Sequence, residues 1–183
     1  MNKRLLNQLL EGAVIALAVP TLAIGAAMSA NEYSAAKDRA SAEYKAAKAQ
    51  CDRLAGNPKD VCIAEAKAAE KRTKAEAEAQ YKNTDNARRD ARIAAAEANH
   101  AVAKAKCDAL VGNDKDVCVK EAKAAETKAI ADAKATQKVA EARQDAKEDK
   151  MEADYKVAIE KCDAFSGAAK DSCVNAAKAK YGK

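Results

Sequence analysis

Alanine and charged residues alternate along most of the chain, whereas large apolar side chains are concentrated in a few short segments. One of these segments is the uncharged run 12–30, and three others surround cysteine pairs at 51–63, 107–119 and 162–174. Elsewhere the apolar positions are mainly alanine, interspersed with lysine, glutamate and arginine, which are strong helix formers. The pattern predicts long helices whose faces consist mostly of alanine methyl groups.

The three cysteine segments are copies of one motif, C-D-x-(L/F)-x-G-x-x-K-D-x-C, and together they contain all six cysteines. Each copy predicts a helix–turn–helix corner in which the two cysteines lie at similar height on antiparallel helices, close enough for a disulfide. Six cysteines allow 15 pairings, and the repeat favours the pairing within each copy. The predicted disulfides are Cys51–Cys62, Cys107–Cys118 and Cys162–Cys173.

The glycines and asparagines within the motif support the prediction of a corner. The glycines occupy the position where a first helix is expected to end in a left-handed residue, and they are Gly56, Gly112 and Gly167. The asparagines that follow two of them, Asn57 and Asn113, are predicted to cap the next helix. The third copy has Ala168 at the cap position, which predicts a corner that frays more.

Apolar residues beside the cysteines predict a small local core at each corner. Leu54, Leu110 and Phe165 come three residues after the first cysteine, on the same face of a continuing helix. Ile63, Val119 and Val174 follow the second cysteine. An aspartate after the first cysteine and a lysine seven residues later either pair across the corner or remain separately solvated. These charged residues are Asp52 and Lys59, Asp108 and Lys115, and Asp163 and Lys170.

Between the corners, turn and cap formers at Asn83, Thr84 and Asp85 predict a chain reversal at 83–86. No comparable break occurs at 139–141, so an uninterrupted helix from about 114 to 166 is expected. The predicted fold is therefore all-α, with about five helices in elongated antiparallel hairpins. The predicted units are a leader at 1–30 and three cysteine-stapled hairpins at 31–86, 87–141 and 142–183.

The N-terminal segment has the pattern of a secretory signal peptide: Lys3 and Arg4, then an apolar run, then small residues before Asn31. Cleavage is predicted after Ser29 or Ala30. The alternative is an uncleaved anchor, because nineteen apolar residues just span a bilayer. Under either interpretation residues 31–183 leave the cytoplasm, and their cysteines enter an oxidising compartment.

Composition argues against an enzyme with an enclosed pocket. After residue 30, 43 of 153 residues are alanine, whereas leucine, isoleucine, valine and phenylalanine together number 15. No catalytic triad or phosphate-binding loop is recognisable, and the single histidine, His100, is predicted to be a solvated or packed surface residue. A soft metal bound by the corner cysteines is a minor alternative to disulfides. Lysines and acids are nearly balanced, so nucleic-acid binding is not expected. No cofactor is expected.

The segments 67–80 and 120–129 resemble the Ala/Lys/Glu-rich stalk of TolA-type cell-envelope proteins. The resemblance implies a helical spacer in the periplasm, although here the corners are additional and no globular C-terminal domain is expected. The predicted function is an exported, non-catalytic structural or interaction protein of the periplasm or envelope. The alternatives are a holdase chaperone or stress protectant, and a cysteine-based metal binder.

The predicted partner is a protein or another envelope component, and the Ala-rich helix faces also offer a surface for self-association. Membrane association is expected only if the leader remains attached.

Overall fold

The computed structural model describes residues 27–183, so most of the predicted leader lies outside the described residues. The described chain forms five α-helices, which confirms the all-α prediction. The described helices consist mainly of alanine, lysine, glutamate and arginine, which are strong helix formers. Pro58 lies in the first turn of its helix, where proline is tolerated. The helices are α1 (Ala30–Cys51), α2 (Gly56–Lys82), α3 (Asp85–Cys107), α4 (Gly112–Cys162) and α5 (Ala168–Tyr181).

The helices pack antiparallel, and within the described residues each one contacts only its neighbours along the chain: α1 with α2, α2 with α3, α3 with α4 and α4 with α5. The array is therefore serial rather than a closed bundle. Alanines form most of the buried surface, and one alanine cluster consists of Ala79, Ala87 and Ala91, with Ala75 against it. Small side chains allow close helix packing but bury little apolar area, which limits the stability that packing supplies.

Helix α4 has 51 residues, so it is about 76 Å long. This confirms the expected uninterrupted helix, although its bounds are Gly112–Cys162 and it passes without a break through the unit boundary predicted at 141. Its N-terminal half packs on α3 and its C-terminal end packs on α5. Every residue from 141 to 151 between them is exposed. This part of α4 is a solvated single helix that connects two packed regions.

The chain reverses between α2 and α3 at the predicted place. Asn83 adopts the left-handed conformation, with φ of 48°, and ends α2. The Thr84 hydroxyl caps α3 by accepting a hydrogen bond from the backbone N–H of Ala87 at 3.1 Å. Arg88 donates to the Asn83 side-chain oxygen at 2.9 Å and holds the turn against the first turn of α3. This reversal has no disulfide and depends on local backbone chemistry.

The conformation of Asn83 generates a test with two variants. Asn83→Ala and Asn83→Gly both lose the hydrogen bond from Arg88, but only alanine has a Cβ that is strained at positive φ. We expect the alanine variant to have a free energy of unfolding about 1 kcal/mol smaller than that of the glycine variant. Urea unfolding followed by circular dichroism measures the difference. Equal stability, or a more stable alanine variant, would show that the left-handed conformation of residue 83 does not limit the stability of the turn.

Candidate functional site

The three disulfide corners are the feature that the sequence repeats, and the structure forms all of them. Cys51 pairs with Cys62, Cys107 with Cys118 and Cys162 with Cys173, with a Cα–Cα distance of 5.6 Å in each. The first cysteine of every pair is at most 1% exposed. The predicted pairing is confirmed. Each disulfide closes a short loop and stabilises the fold by about 3 kcal/mol in the chain-entropy account.

The predicted apolar core at each corner is wrong in one respect. Leu54, Leu110 and Phe165 are 44%, 41% and 52% exposed. A residue three positions after the cysteine lies on the cysteine face only if the first helix continues, and that helix ends at the cysteine in each copy. Ile63, Val119 and Val174, which follow the second cysteine within a helix, are partly buried. The buried centre of each corner is the disulfide itself.

The glycines have a positive φ, between 57° and 59°, but they lie at the start of the second helix rather than at the end of the first. Gly56 and Gly112 are the first residues of α2 and α4, and Gly167 is the N-cap of α5. The first helix of the first corner instead tightens at its end, where the N–H groups of Arg53 and Leu54 donate to carbonyls three residues earlier. Apart from its chain neighbours and the backbone of its own helix, no atom lies within 4 Å of the position that a Cβ would take at residue 56. Glycine is therefore needed here for its backbone conformation and not for space.

The predicted cap role of Asn57 and Asn113 is also wrong. Helices α2 and α4 have Ala55 and Val111 as their N-cap residues, without a side-chain cap hydrogen bond. Because each helix begins at the glycine, the asparagine lies inside the first turn. The Asn57 amide instead donates to the backbone carbonyl of Ala105 in α3 at 2.7 Å. This bond places the first corner beside the second at one end of the array.

In the third copy, α5 begins at Ala168, one position later than α2 and α4 begin in theirs, with Gly167 as its N-cap. The Gly167 carbonyl accepts a hydrogen bond from the backbone N–H of Asp171 at 3.2 Å. As at the start of α2 and α4, no side chain caps the start of α5.

A lysine–aspartate ion pair crosses every corner, so of the two alternatives the charges pair rather than remain separately solvated. The distances from Lys Nζ to Asp Oδ1 are 3.0 Å for Lys59–Asp52, 2.8 Å for Lys115–Asp108 and 2.7 Å for Lys170–Asp163. The hydrogen bond from Lys115 lowers the pKa of Asp108, and the hydrogen bond to Asp163 raises the pKa of Lys170. Both partners of each pair are solvent-exposed, and exposed pairs of this kind contribute little to stability.

One buried carboxylate lies in the middle of the α3–α4 hairpin. The Glu126 side chain is 8% exposed, and its Oε2 lies 2.6 Å from Lys123 Nζ and 3.6 Å from His100 Nδ1. The hydrogen bond from Lys123 is the main reason why the pKa of Glu126 lies below its ordinary value of 4.5, and the charges of His100 and Lys71 act in the same direction. Lys71 also pairs with Glu97 at 2.6 Å. His100 is thus a packed interface residue.

Glu126 was not among the predicted site residues, although its distance along the chain from Cys118 indicates that it faces His100. His100 lies seven residues before Cys107, and Glu126 lies eight residues after Cys118. In an antiparallel hairpin pinned by those cysteines, residues at matching offsets face each other.

Four of the five tyrosines, which are scattered in the sequence, form two aromatic pairs in the structure. Tyr33 stacks on Tyr81 with ring centroids 4.8 Å apart, and Tyr155 meets Tyr181 edge-on at 6.1 Å. The Tyr33–Tyr81 pair lies at the end of the α1–α2 hairpin opposite its disulfide. The second pair lies near the end of α5. These two hairpins are therefore held by a covalent bond at one end and by an aromatic contact toward the other.

Several grooves run between the described helices. The grooves between helices are open and are lined mainly by alanine and charged side chains; the groove between α2 and α3 includes Ile63, Ala68 and Ala98. In residues 27–183 no group of three or more His, Cys, Asp or Glu side chains is arranged to hold a metal ion. All six cysteines are in disulfides. Within the same range no helix is long and apolar enough to cross a membrane.

No protein-family model matches the chain, and no curated protein or solved structure matches it. The fold and the corners define the class: an all-α protein of five antiparallel helices with three disulfides at helix–turn–helix corners. Three disulfides in one chain are typical of an oxidising, extracytoplasmic environment.

The lowered pKa of Glu126 predicts that the stability of the fold depends on pH. Because the folded-state pKa of Glu126 is lowered, its carboxylate stabilises the folded chain above pH 4.5, and this contribution is lost as the pH falls through the folded pKa. Lys123, Lys71 and His100 favour the charged form, and Glu97 is the neighbouring acid. We therefore expect Glu126→Gln to weaken the fold at pH 7 and to flatten the decline in stability below pH 4.5.

Urea midpoints measured from pH 3 to pH 7 test this expectation, with Glu121→Gln as a control because Glu121 is an exposed carboxylate on the same helix. The control is expected to follow the wild-type curve. Parallel wild-type and Glu126→Gln curves would contradict the role of this carboxylate.

Proposed function

We propose that the chain is an exported, non-catalytic structural or interaction protein of the periplasm or cell envelope that acts as a helical spacer or scaffold. The serial packing is the observation that supports this proposal. Each described helix contacts only its chain neighbours, and α4 continues as a solvated helix through residues 141–151. Such an arrangement separates two packed regions and exposes long helix faces on both.

The export part of the proposal combines the N-terminal sequence with the disulfides. Residues 1–30 have the charged, apolar and small-residue pattern of a signal peptide. Six cysteines in three disulfides fit a destination in which thiols are oxidised. The periplasm satisfies both requirements, and the resemblance to TolA-type stalks supports the same location.

The charge and shape of the surface support a macromolecular partner. Small-molecule sites are typically concave and lined by large apolar side chains, whereas the described grooves are open and lined mainly by alanine, charged and polar side chains. Cross-helix ion pairs such as Lys71–Glu97 and Lys106–Glu65 lie on exposed faces. A partner that binds across these helix faces requires a fixed spacing between the helices. Polar contacts of this kind hold α2 against α3, and the disulfide corners hold the other pairs.

A second candidate function, a holdase chaperone, is favoured by the exposed apolar groups at the corners. Leu54, Leu110 and Phe165 are each more than two-fifths exposed, and Val111 is 84% exposed. The first two corners are adjacent, so Leu54, Leu110 and Val111 lie at the same end of the array. Exposed apolar clusters of this kind bind unfolded chains when they are large enough.

Two sets of variants separate the candidates. Replacing both Cys51 and Cys62 by serine removes one disulfide and leaves the apolar corner residues in place. The triple variant Leu54→Ser, Leu110→Ser and Phe165→Ser keeps all disulfides and removes the apolar groups. For a scaffold we expect the cysteine variant to lose most of the partner capture and the triple variant to retain it.

Cross-linking in intact envelopes, followed by mass spectrometry of proteins captured with each variant, measures this difference. Suppression of the aggregation of a reduced model client measures holdase activity in parallel. The scaffold proposal would be contradicted in favour of the chaperone by two results together. The wild type would protect the client and the triple variant would not, and the cysteine variant would capture partners as well as the wild type does. An activity lost on His100→Ala in a folded protein would contradict the non-catalytic assignment.

A further inference from the structure

The N-terminal end of the described fold includes residues that the sequence assigns to the removed leader. Met28 is partly buried, and its side chain lines a groove that contains Ala36 of α1, Gln80 of α2 and Ala91 of α3. The backbone N–H of Met28 donates to the carbonyl of Gln80 at 3.1 Å. The contact joins the start of α1 to the end of α2, beside the stacked Tyr33 and Tyr81 rings.

Ser29 completes a capping box at the start of α1. Its hydroxyl accepts the backbone N–H of Glu32 at 3.3 Å, and the Glu32 carboxylate accepts the backbone N–H of Ser29 at 2.9 Å and its hydroxyl at 2.7 Å. These bonds lower the pKa of Glu32. A capping box satisfies N–H groups that otherwise lack partners at a helix start. Ser29 is therefore part of the first helix cap in the described fold.

A cut after Ser29 or Ala30, as the sequence alone predicts, would remove both features. It would also place the new α-ammonium group at the first or second residue of α1, where the positive end of the helix dipole disfavours a positive charge. A cut at the Ala27–Met28 peptide bond retains the capping box and the contact with Gln80. The new ammonium group then lies outside the helix and donates to the Gln80 carbonyl as a charge-assisted hydrogen bond.

We propose that the leader is removed between Ala27 and Met28 by a signal peptidase, and this inference rests on the export proposed above. Gly25 and Ala27 supply the small residues that such a cleavage site requires two residues apart. Water is the co-reactant: the Ala27–Met28 peptide bond breaks, the Ala27 carbonyl becomes a carboxylate and the Met28 nitrogen becomes an ammonium group. The mature protein thus begins at Met28.

The intact mass and N-terminal sequence of protein recovered from the extracytoplasmic fraction test the site directly. We expect a chain that begins at Met28. Ser29→Arg, which blocks a cut after Ser29, should leave this start unchanged, whereas Gly25→Arg should abolish or move it. A wild-type start at Ala30 or Asn31 overturns this inference and leaves export intact. An uncut chain retained in the cytoplasm overturns both.

Stability provides a second measurement that does not depend on the export machinery. Oxidised chains that begin at residue 28, 30 or 31 differ only in the features described above. We expect the chain from residue 28 to have a folding equilibrium constant about fivefold larger than the other two, the size of a typical helix-cap effect. Ser29→Ala in the 28–183 chain should remove most of that difference. Equal urea midpoints for all three chains would overturn the structural basis of the inference.

Discussion

The structure depends on one covalent constraint, a disulfide at the same place in three helical hairpins. Alanine faces pack closely but carry almost no information about axial register, because a slip of one helical turn brings alanine against alanine again. Burial of methyl groups alone supplies little free energy to choose among registers. The disulfide makes the choice, because its cysteines fix which residues of two antiparallel helices lie at the same height.

The contacts distant from the corners follow that register. Tyr33 lies 18 residues before Cys51 and Tyr81 lies 19 residues after Cys62, and their rings stack. Tyr155 and Tyr181 stand seven residues before Cys162 and eight after Cys173, and they also meet. The α2–α3 pair, which has no disulfide, instead uses directional polar contacts such as Arg72–Asn99 at 2.8 Å and Lys71–Glu97 at 2.6 Å.

Much of this fold could be predicted from the sequence because its signals are local. Composition determines the helices, the repeat determines the cysteine pairing, and Asn83 with Thr84 marks the reversal. The errors share one cause, which is where a helix begins or ends near the corner. Leu54 is not on the cysteine face of a helix because α1 ends at Cys51, and Asn57 does not cap α2 because α2 begins before it, at Gly56. Glu126 required the register of two helices rather than a pattern in one.

We infer that the disulfides set the register of the alanine helices. Nuclear Overhauser contacts between ring protons in tyrosine-labelled protein test it directly, since the chain has only five tyrosines. We expect cross-peaks for Tyr33–Tyr81 and for Tyr155–Tyr181 in the oxidised protein. We expect these cross-peaks to disappear after reduction even where circular dichroism shows that helix remains. Unchanged cross-peaks in the fully reduced protein would contradict it, because the register would then be set by the helix faces themselves.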